Sequence, residues 1–196
     1  MDHALGLGST NAPTTVQSSG RLEVGGGVTV AEPLRLNGDT SGSIGALYAV
    51  SGTNTWAGTI TQSSPSRIGA TAGSTLVLAA SVIGYDLYLS PDAGSCVTLA
   101  NQPLLMGSRK LFAHGSGTLA IGVAGNTWSS LEIGGATVRL DVPGALPASA
   151  ILALGTSGDL DATVDLNGND QTVAQLKRGL PSPGHRLVTS AKPATL

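Results

Sequence analysis

Aromatic side chains are scarce in this sequence, because only 3% of its 196 residues are Phe, Trp or Tyr. Globular domains usually fill the centre of their core with large aromatic rings. The core of this chain has to be built from Val, Leu, Ile and Ala, which fit thin layers better than one broad interior. The low aromatic content therefore indicates a narrow, stacked molecule.

Charge is also scarce, since charged residues make up 11% of the chain and the net charge is −2. An ordinary soluble domain contains roughly 25% charged residues. So weak a charge provides no broad electrostatic attraction to nucleic acid or to an anionic membrane surface. We therefore expect no nucleic-acid partner.

Cysteine and long apolar runs are nearly absent. Cys96 is the only cysteine, which excludes an intrachain disulfide and a multi-cysteine metal site, and we expect it to be a small, half-buried core residue.

No apolar run reaches the roughly 18 residues of a membrane-spanning helix. Residues 1–13 lack the basic and apolar regions of a signal peptide, so if the protein is exported, its signal has been removed or lies outside this chain.

Short apolar runs separated by Gly, Asn, Asp, Ser and Pro dominate the remaining sequence, and each run is too short for a helix. The one alanine-rich stretch, 145–154, contains Pro147 and is not expected to be helical. We predict an all-β protein. The predicted strands are 22–24, 28–30, 34–36, 47–50, 59–62, 75–78, 87–89, 96–99, 119–121, 131–133, 138–140, 151–154, 164–166 and 173–176.

Three sequence echoes indicate internal repetition. Residues 54–56 (NTW) recur as 126–128, 34–38 (LRLNG) are similar to 164–168 (VDLNG), and a third echo pairs 73–78 (GSTLVL) with 115–121 (GSGTLAI). Repetition of short strand units is typical of a solenoid, in which each unit needs a stacked neighbour to bury its apolar side. With coils of roughly 20 to 25 residues, the repeats predict about seven turns of parallel strands.

The chain divides into three parts by composition. Residues 1–19 form a polar lead-in, which would be an N-terminal cap, an added strand or a disordered arm. Residues 20–176 form the repeat domain. Residues 177–196 form a basic tail whose Pro181, Pro183 and Pro193 are expected to prevent regular strand pairing, so we predict that it is disordered or truncated.

No constellation of catalytic residues is recognisable. The histidines fall in the lead-in, a turn and the tail, and the acidic residues are scattered instead of forming the carboxylate pair of a glycosidase. Trp56 and Trp128 occupy equivalent places in the NTW echo, which favours a packing role for both. We predict no catalytic residue and no enzyme activity. The residues considered are His3, His114, His185, Glu23, Glu32, Asp86, Asp92, Glu132 and Asp141.

Acidic residues do cluster in GDLDATVDLNGND, and oxygen ligands of this kind can bind calcium. The spacing from Asp165 does not match an EF-hand loop, because Gly168 falls at the fourth position and no terminal Glu follows. Asp and Asn next to Gly are more simply turn residues. We predict no metal site and no cofactor. The cluster contains Asp159, Asp161, Asp165, Asp170, Asn167 and Asn169.

Four segments resemble the autotransporter-associated β-strand repeats of bacterial surface proteins. They are residues 45–60 (GALYAVSGTNTWAGTI), 66–82, 115–128 and 145–176, of which DLNGNDQTV in the last is the most specific. Two departures from the family pattern are Ser129, Ser130 and Leu131 in place of a glycine-containing turn, and the poor match of residues 84–109.

The resemblance implies a single right-handed parallel β-helix in the passenger of a type V secreted protein. Such a segment would be a stalk that supports export, folding and surface display or adhesion, at the cell surface or secreted. The resemblance also implies a translocator barrel in the full-length protein, so that outer-membrane association would come from a part absent from this chain.

Partners would be a surface component of a host or neighbouring cell, or another copy of the chain that associates through the open ends of the helix. Two alternative functions remain, a carbohydrate-active β-helix of the polysaccharide lyase or hydrolase kind, and a phage tail-fibre-like β structure.

Overall fold

The computed structural model describes residues 1–8, 10–38, 45–157, 160–180 and 184–196. These residues form strands and turns and contain no helix, so no helix among them could cross a membrane. The strands are β1 (Thr14–Val16), β2 (Leu22–Val24), β3 (Thr29–Val30), β4 (Leu34–Asn37), β5 (Leu47–Ala49), β6 (Thr53–Trp56), β7 (Ile60–Ser64), β8 (Ser66–Ala70), β9 (Thr75–Leu78), β10 (Val82–Ile83), β11 (Leu87–Pro91), β12 (Cys96–Leu99), β13 (Lys110–His114), β14 (Thr118–Ile121), β15 (Ser130–Gly134), β16 (Thr137–Leu140), β17 (Ile151–Leu154), β18 (Ala162–Asp165), β19 (Gln175–Arg178) and β20 (Arg186–Thr189).

These strands form three parallel sheets. Sheet A has the order β1-β4-β7-β10, sheet B the order β19-β17-β15-β13-β11-β8-β5-β2, and sheet C the order β20-β18-β16-β14-β12-β9-β6-β3. Each turn of the chain contributes one strand to sheet B and one to sheet C, and the first turns also contribute to sheet A. The fold is a β-solenoid of about eight turns, which confirms the predicted parallel β-helix.

Strand register gives the length of each turn. Ile121 pairs with Leu140 and Val138 pairs with Val164, so a turn takes roughly 19 to 26 residues. This range is close to the predicted coil length. Because paired strands lie about 4.8 Å apart, eight stacked turns span about 34 Å.

Aliphatic side chains at paired inward positions form the core. We call a row of side chains at paired positions of successive strands a file. The inward file of sheet C contains Leu76, Val97, Leu119, Val138 and Val164, and all five are fully buried. The sheet B file contains Leu47, Ile68, Leu89, Ala113, Ile133 and Leu154. Burying each Leu, Val or Ile contributes about 1.5 to 3 kcal/mol, and each layer is complete only when the next turn covers it. This is the stack of thin layers that the composition predicts.

The tail departs from the prediction, because it contains strands. β19 and β20 add an eighth turn by pairing with β17 and β18, so the expectation that prolines prevent strand pairing there is wrong. Pro193 follows β20 and lies outside any strand. Pro181 and Pro183 lie outside the described residues. At Pro193 the loss of an N–H donor therefore costs no ladder hydrogen bond.

The lead-in supplies an added strand, since β1 pairs with β4. The first residue also joins the coil, because the Met1 amino group donates a hydrogen bond to the Glu23 carbonyl at 2.7 Å and the Met1 carbonyl accepts one from the Gly25 N–H at 2.8 Å. Residues near the N-terminus therefore contact the first complete turn directly.

The two NTW segments occupy different sides of the solenoid, which corrects their predicted equivalence. Trp56 ends β6 in sheet C, whereas Trp128 lies between β14 and β15. Both rings are buried, with 1% and 2% of their surface exposed. The predicted packing role fits this burial, but the repeated unit is a local strand and turn that recurs on two sides of the coil.

A shared role of the asparagine explains why the local unit recurs. Asn54 Nδ2 donates to the Ser51 carbonyl three residues earlier at 2.8 Å, and Asn126 Nδ2 donates in the same way to the Val123 carbonyl at 2.7 Å. Each Oδ1 also accepts a backbone N–H of the preceding turn. The buried amide thus satisfies backbone groups at a corner where the ladder is interrupted.

Candidate binding face

The outward side of sheet B, which we name the sheet B face, carries most of the exposed aromatic surface. The chain has three Tyr and one Phe, and all four lie on this face or at its edge: Tyr48 in β5, Tyr85 just before β11, Tyr88 in β11 and Phe112 in β13. The two Trp side chains are inside the coil. A chain so poor in aromatics therefore concentrates its non-tryptophan rings on one side.

One outward file along this face contains six unlike residues at paired positions. From the third turn to the eighth, the file is Arg67, Tyr88, Phe112, Glu132, Ala153 and Lys177. Successive strands are about 4.8 Å apart, so these side chains lie side by side along the face. The parallel register thereby brings together residues that lie about twenty positions apart in sequence.

The central pair of this file is a ring stack. The Tyr88 and Phe112 rings are 4.3 Å apart between centroids and only 3° from parallel, and the His114 ring meets each of them edge-on at 5.7 Å. Aromatic pairs at such separations stabilise the structure by about 0.5 to 1.5 kcal/mol beyond their burial. The two rings therefore cover each other's inner faces, and both side chains remain half-buried.

Cations flank the rings. The Arg67 guanidinium lies 5.4 Å from the Tyr88 ring centre, the Lys110 ammonium lies 6.0 Å from that of Phe112, and a third contact at 5.1 Å joins Arg109 to Tyr85. These distances are within the range of cation–π attraction. A positive charge therefore lies beside each of these three rings.

An ion pair holds the one carboxylate of the file. Lys110 Nζ donates to Glu132 Oε1 at 2.8 Å, and this hydrogen bond with its charge attraction raises the pKa of Lys110. Ser130 Oγ also donates to Glu132 Oε1 at 3.3 Å. The Glu132 carboxylate is therefore held by Lys110 of the adjacent strand β13 and by Ser130 of its own strand β15.

Tyr48 links three turns. Its ring lies over Gly69, where any side chain would collide with it, and its hydroxyl donates to Asp92 Oδ2 at 2.5 Å. Burial and then this bond to a carboxylate raise the pKa of Tyr48 to about 12. Ring, glycine and carboxylate together fasten β5, β8 and the turn after β11.

His114 lies in β13 and is half-buried, which corrects its predicted place in a solvated turn. Burial first, and then the positive charge of Arg67, lower the pKa of His114. Its Nε2 is buried and has no hydrogen-bond partner in the part of the chain that the structure describes. The ring therefore packs as a neutral aromatic group beside Tyr88 and Phe112.

A hollow continues the face toward the last turn. Ala153 contributes only a methyl group between Glu132 and Lys177, and the gap has a volume of about 270 Å³. Thr156 also lines it, and its Oγ1 is buried without a partner among the described residues. Lys177 is exposed at the opposite rim. The hollow thus offers a positive charge and an unsatisfied hydroxyl.

The other His, Asp and Glu residues considered in the sequence lie apart from this face or at its margins. His3 Nδ1 accepts the Leu5 N–H at 3.2 Å near the N-terminus, and His185 contacts Asp161 at 3.1 Å in the last turn. Glu32 is buried and accepts a hydrogen bond from Thr14. Glu23 pairs with Arg21, Asp86 accepts the Lys110 N–H, and Asp141 pairs with Arg139.

The acidic cluster is spread over separate contacts. Asp165 accepts the Asn167 N–H at 2.9 Å, and Asp170 accepts both the N–H and the hydroxyl of Thr195. Asp159 lies outside the described residues. No group of His, Cys, Asp or Glu in the described ranges is arranged to hold a metal ion.

Cys96 lies in β12 as predicted and is half-buried, but it faces outward. Its partners in the ladder are Thr75 and Thr118, both on the outer side of sheet C. The inward neighbour in the same strand is Val97. The predicted core position is therefore wrong by one step of the strand alternation.

Sequence reasoning did not find the sheet B face. Its residues lie in different turns, and Tyr85, Tyr88 and Arg109 fall in or at the end of the stretch that matches the repeat pattern poorly. That departure from the repeat was the available signal, because side chains that differ from the repeat are those that the stack itself does not require.

Comparison with known proteins adds no relative: no protein-family model, no curated protein and no solved structure matches this chain.

Proposed function

We propose that this chain is a stalk segment of an autotransporter passenger, which supports export, folding and surface display. The observation that carries the proposal is the aliphatic interior, which continues from turn to turn without a break. Such a stack makes a rigid rod whose length grows with each added turn. The resemblance of residues 145–176 to autotransporter-associated repeats gives the rod its proposed context at the cell surface.

A non-enzymatic role fits the chemistry of the sheet B face. Glycoside hydrolysis commonly needs two carboxylates across the scissile bond, whereas the outward file contains the single carboxylate of Glu132, which is paired with Lys110. The stalk proposal therefore rests on shape and continuity, and it assigns no catalytic residue.

A carbohydrate-active β-helix is the second candidate, and one observation favours it. Arg67, Lys110 and Glu132 converge on one face, and charged groups of both signs on one face are what such an enzyme needs. Release of reducing ends or of unsaturated sugars from a uronic-acid polymer would establish this candidate. Unchanged polymer length after prolonged incubation would exclude it.

The stalk proposal is tested by deleting a whole turn. Removal of residues 76–96 joins Thr75 to Val97, which takes the inward place of Leu76 because these two residues are paired. The chain is placed between a signal peptide and an autotransporter translocator domain, and its surface exposure is measured by protease treatment of intact cells. We expect this variant to fold and reach the surface like the parent.

The matched control removes one residue fewer, 76–95. Cys96 then takes the inward place and Val97 faces solvent, because a slip of one residue reverses the alternation of a strand. We expect this control to lose most surface exposure. Equal display of all three chains, or retention of the folded parent inside the cell, would contradict the proposal.

A further inference from the structure

We propose that the sheet B face binds a linear anionic polysaccharide, with a uronic-acid carboxylate in the hollow at Ala153. This goes beyond the stalk role, since a stalk can form whether or not its side binds a polymer.

Charge is the first argument. The outward positions of the sheet B strands from β8 to β19 carry the cations Arg67, Lys110 and Lys177 against the single carboxylate of Glu132. The chain as a whole has more acidic than basic residues, 12 against 10. A local positive surplus on a net negative protein favours an anionic ligand at this face.

The hollow supplies the second argument. Its volume of about 270 Å³ is just below the roughly 300 Å³ at which pockets for whole ligands begin, so it fits one unit of a larger chain. Lys177 offers an ammonium group and Thr156 a hydroxyl that has no partner among the described residues. A carboxylate that accepts hydrogen bonds from both would satisfy the buried hydroxyl.

Glu132 lines the same hollow, and its charge has to be compensated. Lys110 Nζ lies 2.8 Å from Glu132 Oε1, so the carboxylate is neutralised from the side opposite to Lys177. The incoming carboxylate therefore meets the Lys177 charge without an equal repulsion from Glu132. Removing Lys110 would upset this balance, so Lys110 is left intact in the test.

The geometry of the face favours a linear polymer over a compact ligand. Tyr88 and Lys177 lie four strand spacings apart, a distance of about 19 Å. Between them the surface offers two half-buried aromatic rings and the hollow at Ala153. Individually weak contacts along such a track sum through the connectivity of the ligand, and hydroxyl-rich sugars can use both the polar and the apolar parts.

The test measures binding of the intact chain to polygalacturonate by calorimetry, with neutral dextran and poly-glutamate as comparison polymers. We expect binding to polygalacturonate that weakens as salt is raised, little binding to dextran, and weaker binding to poly-glutamate. No binding to polygalacturonate would overturn the proposal. Equal binding to poly-glutamate would also overturn it, because the face would then attract any polyanion.

Variants locate the site. Lys177→Glu should weaken binding by roughly tenfold or more, since it replaces the ammonium group that pairs with the polymer carboxylate by a carboxylate that repels it. Thr156→Val should weaken binding several-fold. The matched control is Arg35→Glu, which changes an exposed charge in β4 of sheet A and should change the affinity less than twofold.

An equal loss in Lys177→Glu and Arg35→Glu would overturn the assignment to the sheet B face. Circular dichroism of each variant checks that the fold is retained. If the charge reversal in Lys177→Glu disturbs the last turn, the polymer affinity of Thr156→Val still tests the location of the site. Surface display of Lys177→Glu should match the parent, so a failure of polymer binding is distinguishable from a failure of the stalk proposal.

Discussion

One outward file of sheet C differs sharply from the central outward file of sheet B, although the same coil builds both. At paired positions along sheet C, this file contains Thr53, Thr75, Cys96, Thr118, Thr137 and Thr163. The corresponding file of sheet B contains Arg67, Tyr88, Phe112, Glu132, Ala153 and Lys177. This sheet C file repeats threonine at every position except Cys96, whereas the sheet B file changes its side chain at every turn. The second outward file of sheet C also varies, and it contains Thr55, Val77, Thr98, Ala120, Arg139 and Asp165.

The difference separates what the fold requires from what it permits. Threonine is β-branched and favours extended backbone, so a column of threonines is a simple way to cover a solvent-facing strand. The sheet B file contains rings, charges and a methyl group that strand propensity does not explain together. Variation at equivalent positions of a regular fold therefore identifies side chains that the stack itself does not require.

Core substitutions should lower the free energy of unfolding by similar amounts on sheets B and C, and this effect should be the largest of those predicted. Leu111 of sheet B and Leu119 of sheet C are both fully buried. Replacing either by Ala leaves a cavity, and we expect each change to lower the free energy of unfolding by about 2 to 5 kcal/mol. Urea denaturation measures it. A cost on one sheet that exceeds the other by more than about 2 kcal/mol would show that the two sides of the core are not equivalent.

Tyr48→Phe removes the hydrogen bond between the Tyr48 hydroxyl and Asp92 on the sheet B face. Loss of the hydroxyl leaves Asp92 without its donor at 2.5 Å, and we expect a decrease of about 1 to 2 kcal/mol in the free energy of unfolding. The raised pKa adds a pH signature. The folded state favours the protonated phenol, so this stabilisation is complete below pH 10.0 and is lost as pH rises toward about 12.

Thermal unfolding of parent and Tyr48→Phe between neutral and alkaline pH tests that signature. The parent should lose more stability above pH 10.0 than the variant does. Tyr88 remains in both proteins and serves as an internal control, since burial and Asp86 also raise the pKa of Tyr88. Identical alkaline profiles would refute the role given to the Tyr48 hydroxyl.

His114 should make the sheet B face sensitive to acid. Its lowered pKa means that the folded state favours the neutral ring, so the stabilisation is complete above the ordinary value of 6.5 and decreases as pH falls below it. Arg67, Glu132, Tyr88 and Phe112 face the ring. We expect His114→Gln to flatten the decline in melting temperature below pH 6.5, and an unchanged slope would contradict this.

Sheet C should tolerate change best. Thr118→Val keeps the β-branch on a half-exposed outward position, and we expect the free energy of unfolding to change by no more than about 0.5 kcal/mol. Polygalacturonate binding should be unchanged within twofold. A loss of binding in Thr118→Val equal to that in Thr156→Val would remove the functional distinction between the two faces.

Much of the fold was predictable because its causes are local. Short apolar runs bounded by turn residues, such as 75–78 and 96–99, identified strands, and the echo of 73–78 in 115–121 identified stacking. The errors also have local causes. Prolines suggested an irregular tail because their position relative to the strands was unknown, and Cys96 was assigned to the core because a single outward sulfur does not disturb an apolar pattern.

The candidate site was not predictable from the same sequence. Tyr88 and Phe112 are 24 positions apart, and nothing in either neighbourhood indicates that their rings stack. The NTW echo was misleading for a related reason, because Asn54 and Asn126 perform the same corner task on different sides of the coil. Local sequence similarity indicates which hydrogen bonds a residue makes, whereas only the strand register indicates the side of the coil on which the residue lies.

The sequence by itself determined that the chain is all-β, that its core is aliphatic and thin, and that turns of about twenty residues stack on one another. These properties follow from alternation, composition and turn residues, each of which acts within a few positions of the chain. Tertiary structure alone decided which distant side chains share a face, because turn lengths that vary by several residues set the register. One residue more or less in a corner would place a different side chain beside Phe112.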